Sequence, residues 1–494
     1  RVPGRIIWAT YFEEKVEKSS GSRGGKGSPT QPETHSYSYS VSLAIALCEG
    51  EISNVSRVWA DGHELSLPDL NCRVYKGTAD QLPDPKLEAV EGTGLVPAYR
   101  GTAYVVIEDL QLAPFGNRVP QFNFEVVRPD LKNPCSLQQS VSGVALIPGS
   151  GEYALATEKV FMPSGPDAWS VSNVNTPSDR PDFSTSLDQL QNELPACRAG
   201  SLIVSWFGDD LRCGSCEIRP KVEQTHSDAE VMAWSVAGLA RPDAETVPQD
   251  NGRPVYGGTP SDSSVIQAIR EMAGRGLDVI YYPFILMDQT ENNGRADPYS
   301  DGAHQPVFPW RGRITLSVAP GLSASPDQTS QADAEISEFF GTANASDFQI
   351  ASGQISYSGP DEWRYNRFIL HQAALCAVAG NVSAFCIGSE MRGLTTLRGQ
   401  AGFAAVAALR SLAAECRAIL GPDVKIGYAA DWSEYFGYHP QDGSGDLFFH
   451  LDPLWADDNI DFVGIDNYMP LSDWRDGDDH VDFGYGSIYN PEYL

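Results

Sequence analysis

Two hydrophobic textures divide the chain. From residue 1 to about 160, apolar positions alternate with polar ones, the period of a strand with one wet face. Ser36-Tyr37-Ser38-Tyr39-Ser40-Val41-Ser42-Leu43-Ala44-Ile45 is the clearest case, and Glu49-Gly50 breaks it. Val55–Ala60, Thr102–Ile107 and Phe122–Val127 read as further strands, with Asp61-Gly62 as a hairpin turn. Residues 19–33 hold almost no apolar side chain and read as a flexible loop or arm.

Past residue 200 the pattern changes to continuous apolar runs and helical stripes. A strand covered on both faces reads as such a run. Ser201–Phe207, Leu277–Tyr282, the run ending in Phe385-Cys386-Ile387-Gly388, Val424–Ala429 and Ile460–Ile465 are five of them, and 342–357 is expected to add a sixth. Helices are predicted at Ser263–Ala273, Glu362–Ala379 and Phe403–Leu420. In the last, Phe403, Val406, Leu409, Leu412, Ala413, Cys416 and Ile419 form one stripe, and Gly421-Pro422 stops it. Strands alternating with helices predict a parallel α/β domain of TIM-barrel type. A closed barrel needs eight strands, so the last units are expected beyond Leu494. The expected division is a β-rich region at 1–162, a linker or long connection at 163–196, and a barrel domain at 197–494. The fold class is thus multidomain: all-β, then an α/β barrel incomplete in this chain.

Composition narrows the partners. Against 65 acidic residues stand 35 basic ones, a formal charge of −30. That excludes sequence-specific nucleic-acid binding as a main role, because phosphate contacts need clustered Lys and Arg. It also argues against adsorption to anionic lipid. No apolar run is long enough to span a bilayer. The first residue is Arg1, so the chain is expected to begin inside a longer polypeptide. Nine cysteines, an odd number, sit mostly among core-like residues and fit buried thiols better than a disulfide framework. Cys213-Gly-Ser-Cys216 has metal or redox spacing, but no second such pair supplies the remaining ligands. Cys197 and His226 are the only nearby candidates, and a local disulfide or two free thiols is the simpler reading. No cofactor and no metal is expected.

The residues that could do chemistry follow strands. In a (β/α) barrel the residue past a strand's C-terminal end faces the active-site mouth. Glu390 holds that place after Gly388-Ser389, Asp431 after the 424–429 run, and Asp466-Asn467-Tyr468 after the 460–465 run. Sugar cleavage needs two carboxylates across the scissile bond and aromatic faces for the rings. Trp432, Tyr435, Tyr468 and Trp474 could provide the faces, with Asn467 and Tyr468 as orienting donors. Each has a plainer reading: Glu390 in an ion pair with Arg392 or a nearby arginine, Asp431 as a helix cap, the aromatics as packing. The acidic segments around Asp297, Asp457 and Asp476 read as solvated loops.

Several of these segments resemble a known family. Gly388-Ser389-Glu390-Met391-Arg392-Gly393-Leu394-Thr395, Arg367-Phe368-Ile369-Leu370-His371 and Phe462-Val463-Gly464-Ile465-Asp466-Asn467-Tyr468 resemble the barrel-like domain of a large tail protein of gene transfer agents and related siphophages. Glu49-Gly50-Glu51-Ile52-Ser53 through Gly62, and Tyr99-Arg100-Gly101 through Pro120, resemble tail-tip host-specificity proteins. The resemblance implies a baseplate hub, trimeric, contacting other tail and baseplate proteins. Its location would be the tail tip of a virion-like particle assembled in the bacterial cytoplasm. It implies a glycoside-hydrolase-like barrel acting on cell-surface polysaccharide or peptidoglycan. In such enzymes the acid/base follows the fourth strand, the place expected for Glu390 at an open rim, and the nucleophile follows the seventh. Glycan binding without cleavage, or a purely architectural barrel, are the alternatives.

Overall fold

The computed structural model describes residues 1–19, 34–66, 70–128, 136–147, 149–165, 168–176, 179–470 and 472–493. The chain divides into two compact units. The first comprises Arg1–Val144, Ala156–Phe161 and Ser170–Arg198; the second comprises Ala145–Leu155, Met162–Trp169 and Ala199–Leu494.

The first unit is built on two antiparallel sheets. One joins Arg5–Ala9, Thr34–Glu49, Thr102–Gln111 and Cys72–Tyr75, with Glu13–Ser19 also on Thr34–Glu49; the other joins Val2–Pro3, Phe122–Val127, Asn54–Ala60 and His63–Leu65. All four strands predicted here form. Asp61 and Gly62 both take positive φ and pair Ala60 with His63, the two-residue turn that a right-twisted hairpin favours. The strand predicted to be half exposed is instead covered on both sides at Val41–Ile45. Val41, Leu43 and Ile45 join one core with Val105, Ile107 and Phe124, while Ala44 joins a second with Leu87, Tyr104 and Val106. Alternation shows only that successive side chains part company; the helix Pro85–Glu91, which carries Leu87, covers the other side. The arm expected at 19–33 lies, apart from Ser19, outside the described residues. Between 163 and 196, where a linker or long connection was expected, the chain forms the hairpin Phe161–Gly165/Ala168–Val171 and the helix Asp182–Glu193.

The second unit is an open parallel sheet with helices packed on it. Its strands are β1 (Ala199–Gly208), β2 (Asp278–Met287), β3 (Val382–Ser389), β4 (Lys425–Asp431) and β5 (Phe462–Asp466), each parallel to the next. Gly143–Leu146 precedes β1 in the sheet order, and β5 ends it. The five runs read from sequence are these five strands. The sixth is not among them: 348–357 is a separate antiparallel hairpin, Phe348–Ala351 with Gln354–Tyr357. Glu390 therefore follows the third of the parallel strands, and the fourth only if Gly143–Leu146 is counted. The sheet does not close, and Val463 and Ile465 on β5 are 49% and 41% exposed.

The helices are α1 (Asp262–Gly274), α2 (Ser330–Phe340), α3 (Tyr365–Ala379) and α4 (Ala404–Leu420). The predicted stripe on α4 is its buried face: Val406, Leu409, Leu412, Ala413 and Cys416 are all in the core. No helix among the described residues is long and apolar enough to cross a membrane. Cys197 is buried, and Cys213 and Cys216 are buried free thiols that form no local disulfide. Burial pushes both thiols well up, which makes them poor nucleophiles. Among the described residues no group of three or more His, Cys, Asp or Glu is placed to hold a metal ion.

Candidate active site

The site forms where β3, β4 and β5 end. Pairing brings Ser389 opposite Ala429 and Asp431 opposite Asp466, so the three strands finish at one level. The β3–β4 register slips between Cys386 and Ser389. Glu390 then takes φ +50°, a left-handed conformation costly for a side-chain-bearing residue, while its N–H donates to Ala429 O at 2.8 Å. A slipped register followed by a left-handed residue is how a strand end re-aims a side chain. Gly388 is required here, because a Cβ would lie 2.2 Å from the Tyr365 hydroxyl, which donates to Ile387 O at 2.8 Å.

Glu390 is buried, with 6% of its surface exposed, rather than standing open on the rim. Two side chains from the long loop after β2 cover it. Trp310 donates its indole N–H to Glu390 Oε2 at 2.9 Å, and Arg311 Nη2 lies 3.1 Å from the same oxygen. Arg311 is locked in turn by Ser389 O at 3.0 Å and Ser389 Oγ at 2.9 Å, with its guanidinium 3.8 Å from the Phe284 ring centroid. The sequence reading of Glu390 as an ion-pair partner is thus realised, and its partner is Arg311.

Asp466 lies within hydrogen-bonding reach of Glu390, and Tyr282 on β2 donates to Asp466 Oδ2. Burial raises the Asp466 pKa to about 6; the Tyr282 hydroxyl opposes that rise and the Glu390 charge adds to it. Tyr468 is 70% exposed, and its phenol is pushed up first by the Glu390 charge and then by burial. It belongs to the same cluster. Asn467 is exposed and its Oδ1 accepts from Met469 N at 3.1 Å.

The remaining candidates divide. Asp431 caps the short helix Trp432–Tyr435: its Oδ1 accepts from Ser433 N at 2.9 Å, and Glu434 accepts from Asp431 N at 3.1 Å. This reciprocal box is the helix-cap reading of Asp431. Trp432 lines a cavity of about 540 Å³ together with Trp310, Tyr299 and Glu434. Tyr435 is exposed and is not part of that lining. Trp474 packs edge-on against His480 and Tyr493, at 4.6 and 5.7 Å between centroids, and makes no contact with the Glu390 cluster among those described.

Residues 363–494 match the family described as the GTA TIM-barrel-like domain. The matched stretch contains Glu390, Asp431, Glu434 and Asp466, whereas Trp310 and Arg311 precede it. Among solved structures, a chain from the virion of a native gene transfer agent particle is 51% identical over 30% of this chain and 30% of that one, with a TM-score of 0.22. A GH113 β-1,4-mannanase is 15% identical, with 68% of this chain and 64% of that one covered and a TM-score of 0.32. A GH113 β-mannanase from Alicyclobacillus acidocaldarius is 14% identical, with 68% and 63% covered and a TM-score of 0.31. The match thus spans less than two thirds of each of these chains. The comparison with curated proteins returned no match.

Sequence reasoning missed the residues that cover this site. Trp310, Arg311 and Arg313 come from Trp310-Arg311-Gly312-Arg313, a cluster of aromatic and basic residues in an acidic chain, and that was the available signal. Tyr299 lay in a segment read as a solvated loop. Glu434 was passed over because it sits inside a helix turn instead of directly after a strand.

Proposed function

We propose that the chain is a structural subunit of a phage-like tail tip, a trimeric baseplate hub associated with other tail proteins, whose barrel binds or cleaves host-envelope glycan. The family of residues 363–494 supports the particle context. Within that reading, 1–162 is the hub region, 163–196 the connection and 197–494 the barrel. The observation that carries the glycan reading is the Glu390–Asp466 pair at the strand ends, backed by Tyr282 and facing Tyr468.

Two carboxyls within hydrogen-bonding reach share a proton, since both cannot ionise freely side by side. A shared proton is what a general acid must deliver to a leaving sugar oxygen. Glu390 is the proposed donor, and Asp466 and Tyr282 position the proton. Asp466 is not the partner across the scissile bond, because that partner stands about 5–5.5 Å away in a retaining enzyme and about 6.5–9.5 Å in an inverting one. A hydrogen-bonded pair leaves no room for substrate between its members.

The test is reducing-end release from host-envelope polysaccharide by the full-length protein. Glu390→Gln is expected to slow it by about 10²-fold or more. A rate equal to the unaltered protein's ends the cleavage reading. A second reading, glycan binding without turnover or a purely architectural barrel, is favoured by the burial of Glu390 and its ion pair with Arg311.

A further inference from the structure

We propose that the cavity beside Glu390 is a binding site for a carboxylate-bearing sugar, held by Arg313 and Arg392 against the rings of Trp310 and Trp432. The inference deepens the glycan reading above and rests on it for the sugar. The acidic group is an independent inference from charge.

The cavity measures about 540 Å³, within the range of about 300–1,000 Å³ usual for small-ligand sites. Trp310 and Trp432 supply flat apolar faces, as a pyranose ring requires. Trp310 serves both places: its ring lines the cavity while its N–H holds Glu390.

The charges decide the class of sugar. Acidic residues outnumber basic ones by 65 to 35, so a spare guanidinium is unexpected. Arg311, Arg364, Arg398 and Arg417 are each ion-paired to a carboxylate. Arg313 and Arg392 line the cavity, and no salt bridge to either is found among the described residues. Arg313 stacks 4.6 Å from the centroid of Tyr299, which lines the same cavity as both arginines. Two unpaired guanidiniums on one cavity wall favour an anionic occupant, and a guanidinium fork matches a carboxylate.

The one carboxylate in the lining is already occupied. Glu434 accepts from Thr395 Oγ1 at 2.5 Å, from Tyr428 Oη at 2.9 Å and from Asp431 N. Burial raises its pKa to about 7, so near neutral pH and below it carries at most part of a charge. It is therefore a weak competitor for the arginines.

The experiment is a calorimetric titration of the full chain with a short oligogalacturonide and with its carboxyl-reduced, neutral counterpart. The acidic probe is expected to bind about tenfold or more tightly, a preference that shrinks as salt is raised. Arg313→Gln/Arg392→Gln, with an unchanged melting temperature, is expected to abolish the preference. Single substitutions guard against misfolding of the double variant and are each expected to reduce the preference severalfold. Equal affinity for the two probes, no binding of the acidic one, or an undiminished preference in the folded double variant would overturn the proposal. The reducing-end assay on Glu390→Gln judges cleavage alone, so the two failures are distinguishable.

Discussion

Glu390 and Glu434 are both buried carboxylates just past the ends of neighbouring parallel strands, yet the fold gives them opposite company. Glu390 receives a full positive charge from Arg311 and an indole N–H from Trp310. Glu434 receives two hydroxyls and one backbone N–H, and no cation. Desolvation disfavours the charged form of Glu434, and no counter-charge among its hydrogen-bond partners offsets it. Glu434 is accordingly pushed to about 7. A carboxylate after a barrel strand is therefore not one kind of thing. Position on the rim brings it near the mouth, and its neighbours decide its electrostatic company.

The largest expected effect comes from removing the cation. Arg311→Met would leave Glu390 and Asp466 buried together with no positive charge, and breaking a buried ion pair from one side costs about 3–5 kcal/mol. Denaturant unfolding at neutral pH checks this. A loss below about 1 kcal/mol would show that Arg311 does not set Glu390 apart from Glu434.

The next effect is a pH dependence on the other side of the comparison. A carboxyl whose folded pKa is raised binds its proton more tightly folded than unfolded. Its stabilisation is complete below about 4.5, the ordinary glutamate value, and is lost as pH rises through about 7. The loss is of order 3 kcal/mol. Asp466, raised to about 6, acts in the same direction at slightly lower pH. Glu434→Gln should flatten the fall in stability between pH 5 and 7, leaving the smaller Asp466 contribution. An unchanged slope in that variant would place the titration elsewhere.

The smallest effect is on the cap that carries Glu434. Asp431→Ala removes one half of a reciprocal box and should cost about 1 kcal/mol, whereas Asp431→Asn keeps an acceptor and should cost a few tenths. Thermal melting of the two variants checks the order. Equal losses would mean that the Asp431 charge does more than cap a helix.

Much of the second unit was legible in the chain. The five apolar runs are its five parallel strands, and the stripe on α4 is its buried face. The place of Asp466 and Tyr468 at and just past the end of a strand was also readable, and the register aligns that end with its neighbour's. The hairpin at 348–357 was misread because a short strand of mixed apolar and polar residues looks alike in a parallel sheet and in an antiparallel hairpin. Trp474 was misplaced because an aromatic after a strand can turn toward the mouth or, as here, toward His480 and Tyr493. Asp431 has the cap geometry that aspartates at strand-to-helix turns commonly show.

What the sequence by itself determined is local. Periodicity records which side chains share a face, and strand ends and helix stops follow from apolar runs and glycines a few residues apart. Only the tertiary structure decided that Glu390 is covered instead of open. Its cover, Trp310 and Arg311, arrives from a loop some 80 residues earlier. It equally decided that Glu434 is an acid without a cation, and that Arg313 and Arg392 converge on a cavity. The electrostatic character of a buried group depends on what surrounds it within a few ångströms, and those neighbours are set by how distant loops fold over the strand ends rather than by the residues beside it in the chain.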